Sequence, residues 1–154
     1  MALIDMIAYL PKSHKNYDKM LYLYQHLAEG IKKTQNMKDG MWYQLVEYPD
    51  LANNYPETSG TGMMLYALKK GRNLGLLSEN FNTNIDKGWA ALKTFVKPFT
   101  DGLPMVTSFC PGMGIQDNIT NYLSVRPVSC PSSDEKQQPH GYFSVLMAAS
   151  VLEF

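Results

Sequence analysis

The residues with the most chemical promise lie between Gly40 and Gly75. Glu57 directly precedes Thr58-Ser59-Gly60-Thr61-Gly62, so a carboxyl and the hydroxyls of Ser59 and Thr61 gather where a helix should start and face a cavity. Tyr55 just before them and Tyr122 in a later loop offer aromatic faces for ligand contact, and His140 precedes the last helical stretch. Each has a structural alternative. An acid at a helix start is favoured by the helix dipole, and this is the preferred reading of Glu57. Ser59, Gly60 and Gly62 also allow close helix packing. A lone loop histidine is more often a surface or cap residue. Trp42 and Tyr43, in what reads as a short extended segment from Trp42 to Glu47, are expected simply to pack.

Several kinds of chemistry are excluded. Cys110 and Cys130 stand twenty positions apart, and no Cys-x-x-Cys or His-x-x-x-His spacing offers metal ligands, so no metal or cofactor is expected; both thiols are read as free by default, with one bridge as the alternative if the parent protein is exported. Fourteen basic and fourteen acidic residues cancel without clustering, which argues against nucleic acid or an anionic membrane as partner. No apolar run approaches the roughly 18 residues of a membrane span. Met1 to Leu10 lacks a basic leader, contains Asp5 and runs into Pro11, so it is not read as a signal peptide. A soluble chain is expected, with the compartment unknown and the cytoplasm favoured.

Five helices must position these residues. Met1 to Leu10 has Leu3, Met6, Ile7 and Leu10 on one face and reads as helical from its first residue, as though the chain began inside an element. Tyr17 to about Gln35 carries an apolar stripe that includes Tyr24, Leu27, Ala28 and Ile31, with lysines opposite. Thr58 to Asn73 is apolar without a break from Met63 to Leu68 and should be buried on all sides. About Asn84 to Lys97 follows a possible capping pair, Thr83 and Asp86, and stops at Pro98. About Gly141 to Phe154 has almost no polar face and should be dry as well.

A repeat underlies this alternation. Asp39-Gly40 follows the second helix as Asp101-Gly102 follows the fourth, and each turn leads to a strand-like segment (Trp42 to Glu47; Met105 to Phe109), a loop and a dry helix. Half-wet outer helices alternating with dry inner ones predict an all-α fold, a partial (α/α)6 toroid of about two and a half helical hairpins with short strand segments after the outer helices. Six such units need about 370 residues. In the second loop, Cys110 to Pro139, the stretches Gly112 to Ile115 and Asn121 to Ser124 are expected to be ordered and to line a cavity rim, and Ser132 to Gln138 to be mobile.

The segments Gly40-Met41-Trp42-Tyr43-Gln44-Leu45-Val46, Asn54-Tyr55-Pro56-Glu57-Thr58-Ser59-Gly60-Thr61-Gly62-Met63 and Tyr66-Ala67-Leu68-Lys69-Lys70-Gly71 resemble the second half of glycoside hydrolase families 88 and 105, the unsaturated glucuronyl and rhamnogalacturonyl hydrolases. Met1-Ala-Leu-Ile-Asp-Met-Ile-Ala-Tyr-Leu-Pro11 is similar to an inner-helix stretch of the same families, where the aspartate is not catalytic, so Asp5 is expected to make a structural hydrogen bond. The chain departs from the family pattern at Asp117 to Ser124 and at Gln138 to Phe143.

The resemblance implies release of a Δ4,5-unsaturated uronic acid from pectin or glycosaminoglycan oligosaccharides. An aspartic acid protonates the enol-ether double bond, water adds at the adjacent carbon, and the hemiketal breaks down. No residue of this chain matches that aspartate, so none is expected to be catalytic. Residues 1–154 are then a single incomplete toroid domain, the C-terminal part of a longer glycoside hydrolase domain. Tyr55, Glu57, Ser59, Tyr122 and His140 are the substrate-binding candidates. The expected partners are an unsaturated uronyl oligosaccharide and either the missing N-terminal half or a second copy of this chain. The alternative is a non-catalytic sugar-binding or interaction remnant of that fold.

Overall fold

The computed structural model describes residues 1–130 and 138–154, with side chains in the second stretch from residue 141 onward. The part of the second loop expected to be mobile lies, apart from its last residue, outside the described residues.

α3 (Thr58–Asn73) is the hub of the structure. It packs against α1 (Ala2–Tyr9), α2 (Tyr17–Thr34), α4 (Asn82–Lys93) and α6 (Gln138–Leu152). No residue from Thr58 to Arg72 is exposed, as its unbroken apolar run requires. α1, α3 and α6 are the inner helices and α2 and α4 the outer ones, which makes the chain a partial helical toroid.

Small residues set the spacing of these helices. A Cβ on Gly62 would lie 2.7 Å from the Ser144 carbonyl oxygen, so α3 and α6 approach backbone to backbone. A Cβ on Gly71 would collide with the Tyr24 hydroxyl, which donates to the Ala67 carbonyl at 2.8 Å and ties α2 to α3. α2 is wet on one face, but Leu27, expected on its buried stripe, is exposed and borders a small apolar groove between α1, α2 and α3.

The repeat survives in its turns. Asp39 Oδ1 accepts from the Met41 amide and Asp101 Oδ1 from the Leu103 amide, each at 2.9 Å, across glycines with φ of +86° and +80°. The first turn is locked from outside: Gln35 Nε2 donates to the Gly40 and Asn84 carbonyls, and Asn84 Nδ2 donates back to Gln35 Oε1. This buried amide pair joins the end of α2 to α4.

Further expectations need correction. Trp42 to Glu47 is not a strand; a single bridge, Tyr43 to Pro56, is all that forms. The Asn54 side chain takes the place of a partner strand, accepting from the Leu45 amide and donating to the Leu45 and Tyr48 carbonyls. Trp42 turns inward, donating from Nε1 to the Ile31 carbonyl at 2.7 Å.

α4 ends at Lys93 and has no Thr83 cap, because a 3-10 turn (Glu79–Phe81) feeds directly into it. The residues that follow form β1 (Val96–Pro98), paired antiparallel with β2 (Pro104–Phe109), which pairs in turn with β3 (Val128–Cys130). Sheet pairing captures this stretch through the Phe95 carbonyl, which accepts from both the Thr107 amide and hydroxyl.

The second loop contains a helix, α5 (Ile119–Ser124), so Tyr122 is helical rather than in open loop. α6 is dry where it meets α3 and, near its start, β2 and β3; Phe143 and Leu146 are 41% and 64% exposed on its other side.

Candidate functional site

Three stretches converge at the N-terminal end of α3: the turns of residues 44–56, the end of β2, and the loop that leads to α5. Glu57 joins them. It is the N-cap of α3, with extended backbone and 7% exposure. Its Oε1 accepts from the Ser59 amide (3.0 Å), the Ser59 hydroxyl (2.7 Å) and the Cys110 amide (2.9 Å), and its Oε2 from the Gly60 amide (2.5 Å). Four donors around one carboxylate occupy both of its oxygens and leave it little capacity for a ligand.

The Cys110 amide reaches Glu57 because β2 carries an extra residue between its pairings at Val106 and Phe109. Ser108, at φ +61°, takes up the kink; its hydroxyl donates to the Pro56 carbonyl (2.6 Å) and its carbonyl accepts from the Thr58 hydroxyl (3.2 Å). A left-handed serine has no sequence signature comparable to glycine's, so neither Ser108 nor Cys110 stood out in advance.

Tyr55 is 5% exposed and does not present an open face. Its hydroxyl is buried beside the Cys110 thiol without a hydrogen bond of normal geometry. Burial above all, and then Cys110 and Glu57, push the phenol well above its ordinary value, with Arg126 opposing. The Arg126 guanidinium lies 6.0 Å from the centre of the Tyr55 ring. Gln44 Nε2 points at the sulfurs of Cys110 (3.7 Å) and Met113 (3.5 Å).

Of the five candidates, Tyr55, Glu57 and Ser59 therefore cluster. Tyr122 is half-buried on α5, and its hydroxyl accepts from the Gln116 amide at 3.1 Å, a local contact within the rim loop. His140 lies in the first turn of α6, and its side chain is outside the described residues. Tyr43 belongs elsewhere: it donates to Asp39 at 2.7 Å, and burial first, with Asp39 second, pushes its phenol up to about 12.

Asp5 sits far from this mouth. Its Oδ1 accepts from Tyr66 (2.7 Å) and Lys70 (2.6 Å), both on the C-terminal half of α3. Burial pushes the Asp5 carboxyl up, but the hydrogen bonds from Lys70 and Tyr66 outweigh it and hold the group below its ordinary 3.8. An acid that must stay protonated near neutral pH requires the opposite shift. Among the described residues, no group of three or more His, Cys, Asp or Glu is placed to hold a metal, and no helix is long and apolar enough to cross a membrane. The groove between α1, α2 and α3, about 120 Å³, is lined by apolar side chains and offers little to orient a polar ligand.

Comparison with known proteins gives this geometry a context. The family model described as Glycosyl Hydrolase Family 88 matches residues 1–153. The chain is 31% identical over 147 residues to an unsaturated 3S-rhamnoglycuronyl hydrolase of Alteromonas sp. (strain LOR), an alignment that covers 94% of this chain and 31% of that protein. A solved family 105 glycoside hydrolase from C. acetobutylicum ATCC 824 superposes with a TM-score of 0.86 at 28% identity, over 99% of this chain and 42% of that one. A family 88 glycosyl hydrolase from Bacteroides vulgatus shares the fold, with a TM-score of 0.66 at 23% identity over 97% of this chain and 40% of that one. The chain thus spans about a third of the Alteromonas protein and about two fifths of these solved chains.

Proposed function

The chain belongs to glycosyl hydrolase family 88, and from that premise we propose that it serves the release of a Δ4,5-unsaturated uronic acid from the end of a pectin or glycosaminoglycan oligosaccharide. It contributes one flank of the substrate cavity, at the mouth of α3, and the catalytic acid comes from outside these 154 residues. The observation that carries the substrate class is the likeness along 94% of the chain to a protein named for that activity.

The carboxylates support the division of labour. Hydration of the enol ether needs a neutral carboxyl to deliver a proton to the double bond; water then adds at the adjacent carbon and the hemiketal breaks down to release the sugar. Glu57 is engaged by four donors, and Asp5 is held in its charged form at the other end of α3. Neither is set up as that acid. On this reading Tyr55, Glu57 and Ser59 shape the mouth, and Tyr122 and His140 belong to its rim.

The test follows loss of the double bond's ultraviolet absorbance in lyase-digested rhamnogalacturonan. It is run with the purified chain alone and with a polypeptide carrying the preceding half of the toroid. Turnover only in the mixture is expected. Turnover by the chain alone would overturn the placement of the acid. Sugar binding without turnover in either case favours a non-catalytic sugar-binding remnant.

A further inference from the structure

Arg126 is a cation of this mouth, and its position is fixed from two sides. Nη1 donates to the Asn53 carbonyl at 2.6 Å, and the guanidinium lies over the Tyr55 ring at 6.0 Å, a cation–π contact with a buried phenol. The anchoring Asn53 takes φ +71°, a left-handed turn that asparagine tolerates. Yet Arg126 is exposed, and among the described residues no carboxylate forms an ion pair with it.

Holding a long side chain still costs rotamer entropy, which an acidic partner usually offsets. Among the described residues the fork is held without one. A guanidinium has five N–H donors, and a single hydrogen bond, to Asn53, is seen among the described residues, so most of the fork is free for an incoming oxyanion. Glu57 is the nearby acid whose charge reaches Tyr55, but its carboxylate is turned onto the helix start and the Cys110 amide.

We propose that Arg126 is a specificity-determining residue of the rim, binding an oxyanion of the sugar, carboxylate or sulfate, through the free edge of its fork while Tyr55 and Asn53 hold it in place. The proposal rests on the uronide reading and adds to it the group that would distinguish acidic from neutral sugars.

Three probes separate the sources of charge: an unsaturated uronyl disaccharide with its free carboxylate, the methyl ester of that disaccharide, and the same ester sulfated on the neighbouring sugar. Binding to the 154-residue chain, alone and combined with a polypeptide carrying the preceding half of the toroid, is measured by titration calorimetry. The native chain should prefer at least one anionic probe over the neutral ester. Arg126→Met should weaken that probe about tenfold to a hundredfold and leave the ester unchanged. Arg126→Lys should fall between, since it keeps the charge and loses the planar fork. The anion whose affinity drops identifies the source.

Equal binding of all three probes by native protein and a folded Arg126→Met variant overturns the proposal, reduces Arg126 to a strap between loops, and leaves the sugar reading standing. Binding of none of them by the native chain, even when it is combined with the preceding half of the toroid, overturns both. Should Arg126→Met fail to fold, Arg126→Lys decides: unchanged preference for the anionic probe refutes recognition by the fork.

Discussion

Replacing Glu57 by glutamine decides whether this carboxylate clamps the fold or serves a ligand. Glutamine keeps one acceptor oxygen. With that oxygen in the place of Oε1, the contacts to Ser59 and Cys110 survive, and the amide nitrogen is turned onto the Gly60 N–H, donor against donor. The opposite flip sets the nitrogen against both the Ser59 and Cys110 amides and costs more. The cheaper arrangement loses a charge-assisted hydrogen bond, about 1.5–3 kcal/mol, and the charge's attraction to the helix start, about 0.3–1 kcal/mol. The expected loss is about 2–4 kcal/mol, a large share of the roughly 5–15 kcal/mol that stabilises an ordinary domain. Urea unfolding followed by tryptophan fluorescence reads it directly, because Trp42 is buried beside the mouth and its amide donates to Thr61. Hydrogen exchange at the Gly60 and Cys110 amides should accelerate in parallel. A change under about 0.5 kcal/mol with unaltered exchange would refute the clamp, since surface substitutions away from such features fall in that range. Unchanged stability with loss of sugar binding would move Glu57 to the ligand.

Three further outcomes follow from the same geometry. Gly62→Ala should destabilise by about 1–3 kcal/mol in urea, because its Cβ would meet the Ser144 backbone at 2.7 Å and α6 must shift; a neutral result would show that the helices part freely. The Asp5 carboxyl is lower in the folded than in the unfolded chain, so its contribution is complete above pH 3.8 and is lost as pH falls through the folded value. Lys70→Met should therefore flatten the acid limb of stability against pH, and a limb parallel to the native one down to pH 2 contradicts this. Gln35→Leu leaves the Gly40 and Asn84 carbonyls and the Asn84 amide short of a buried partner and should cost about 1–3 kcal/mol or more. In a double-mutant cycle with Asn84→Ala the two losses should be clearly less than additive, and simple additivity refutes the pair.

Much of this arrangement was legible because its causes are local. The bounds of α3 follow from small hydroxyl residues at its start and polar ones after Leu68, and the two Asp-Gly turns recur with the same aspartate-to-amide bond. The site was half legible: Tyr55, Glu57 and Ser59 are adjacent in sequence and meet in space. What escaped depends on distant partners. Val96 to Pro98 continues the apolar stripe of α4 and becomes a strand only because β2 lies beside it. Arg126 meets Asn53 across 73 positions, and Cys110 meets Glu57 across 53. No spacing rule reaches that far.

α6 shows how a correct reading of composition meets a different environment. An inner helix of a closed ring has neighbours on both flanks and can be apolar all round, which is how residues 141–154 are written. Here α3 covers one flank through the Gly62 contact, with Ser144 and Ala148 fully buried. Phe143 and Leu146, three positions apart, share the opposite flank and stand open. Polar substitution at Gly62, Ser144 or Ala148 would be felt as lost packing, whereas at Phe143 and Leu146 it would leave this fold intact and change only what that flank can adhere to. On the proposed reading, the composition of α6 reports the assembled ring, and its exposure reports these 154 residues alone.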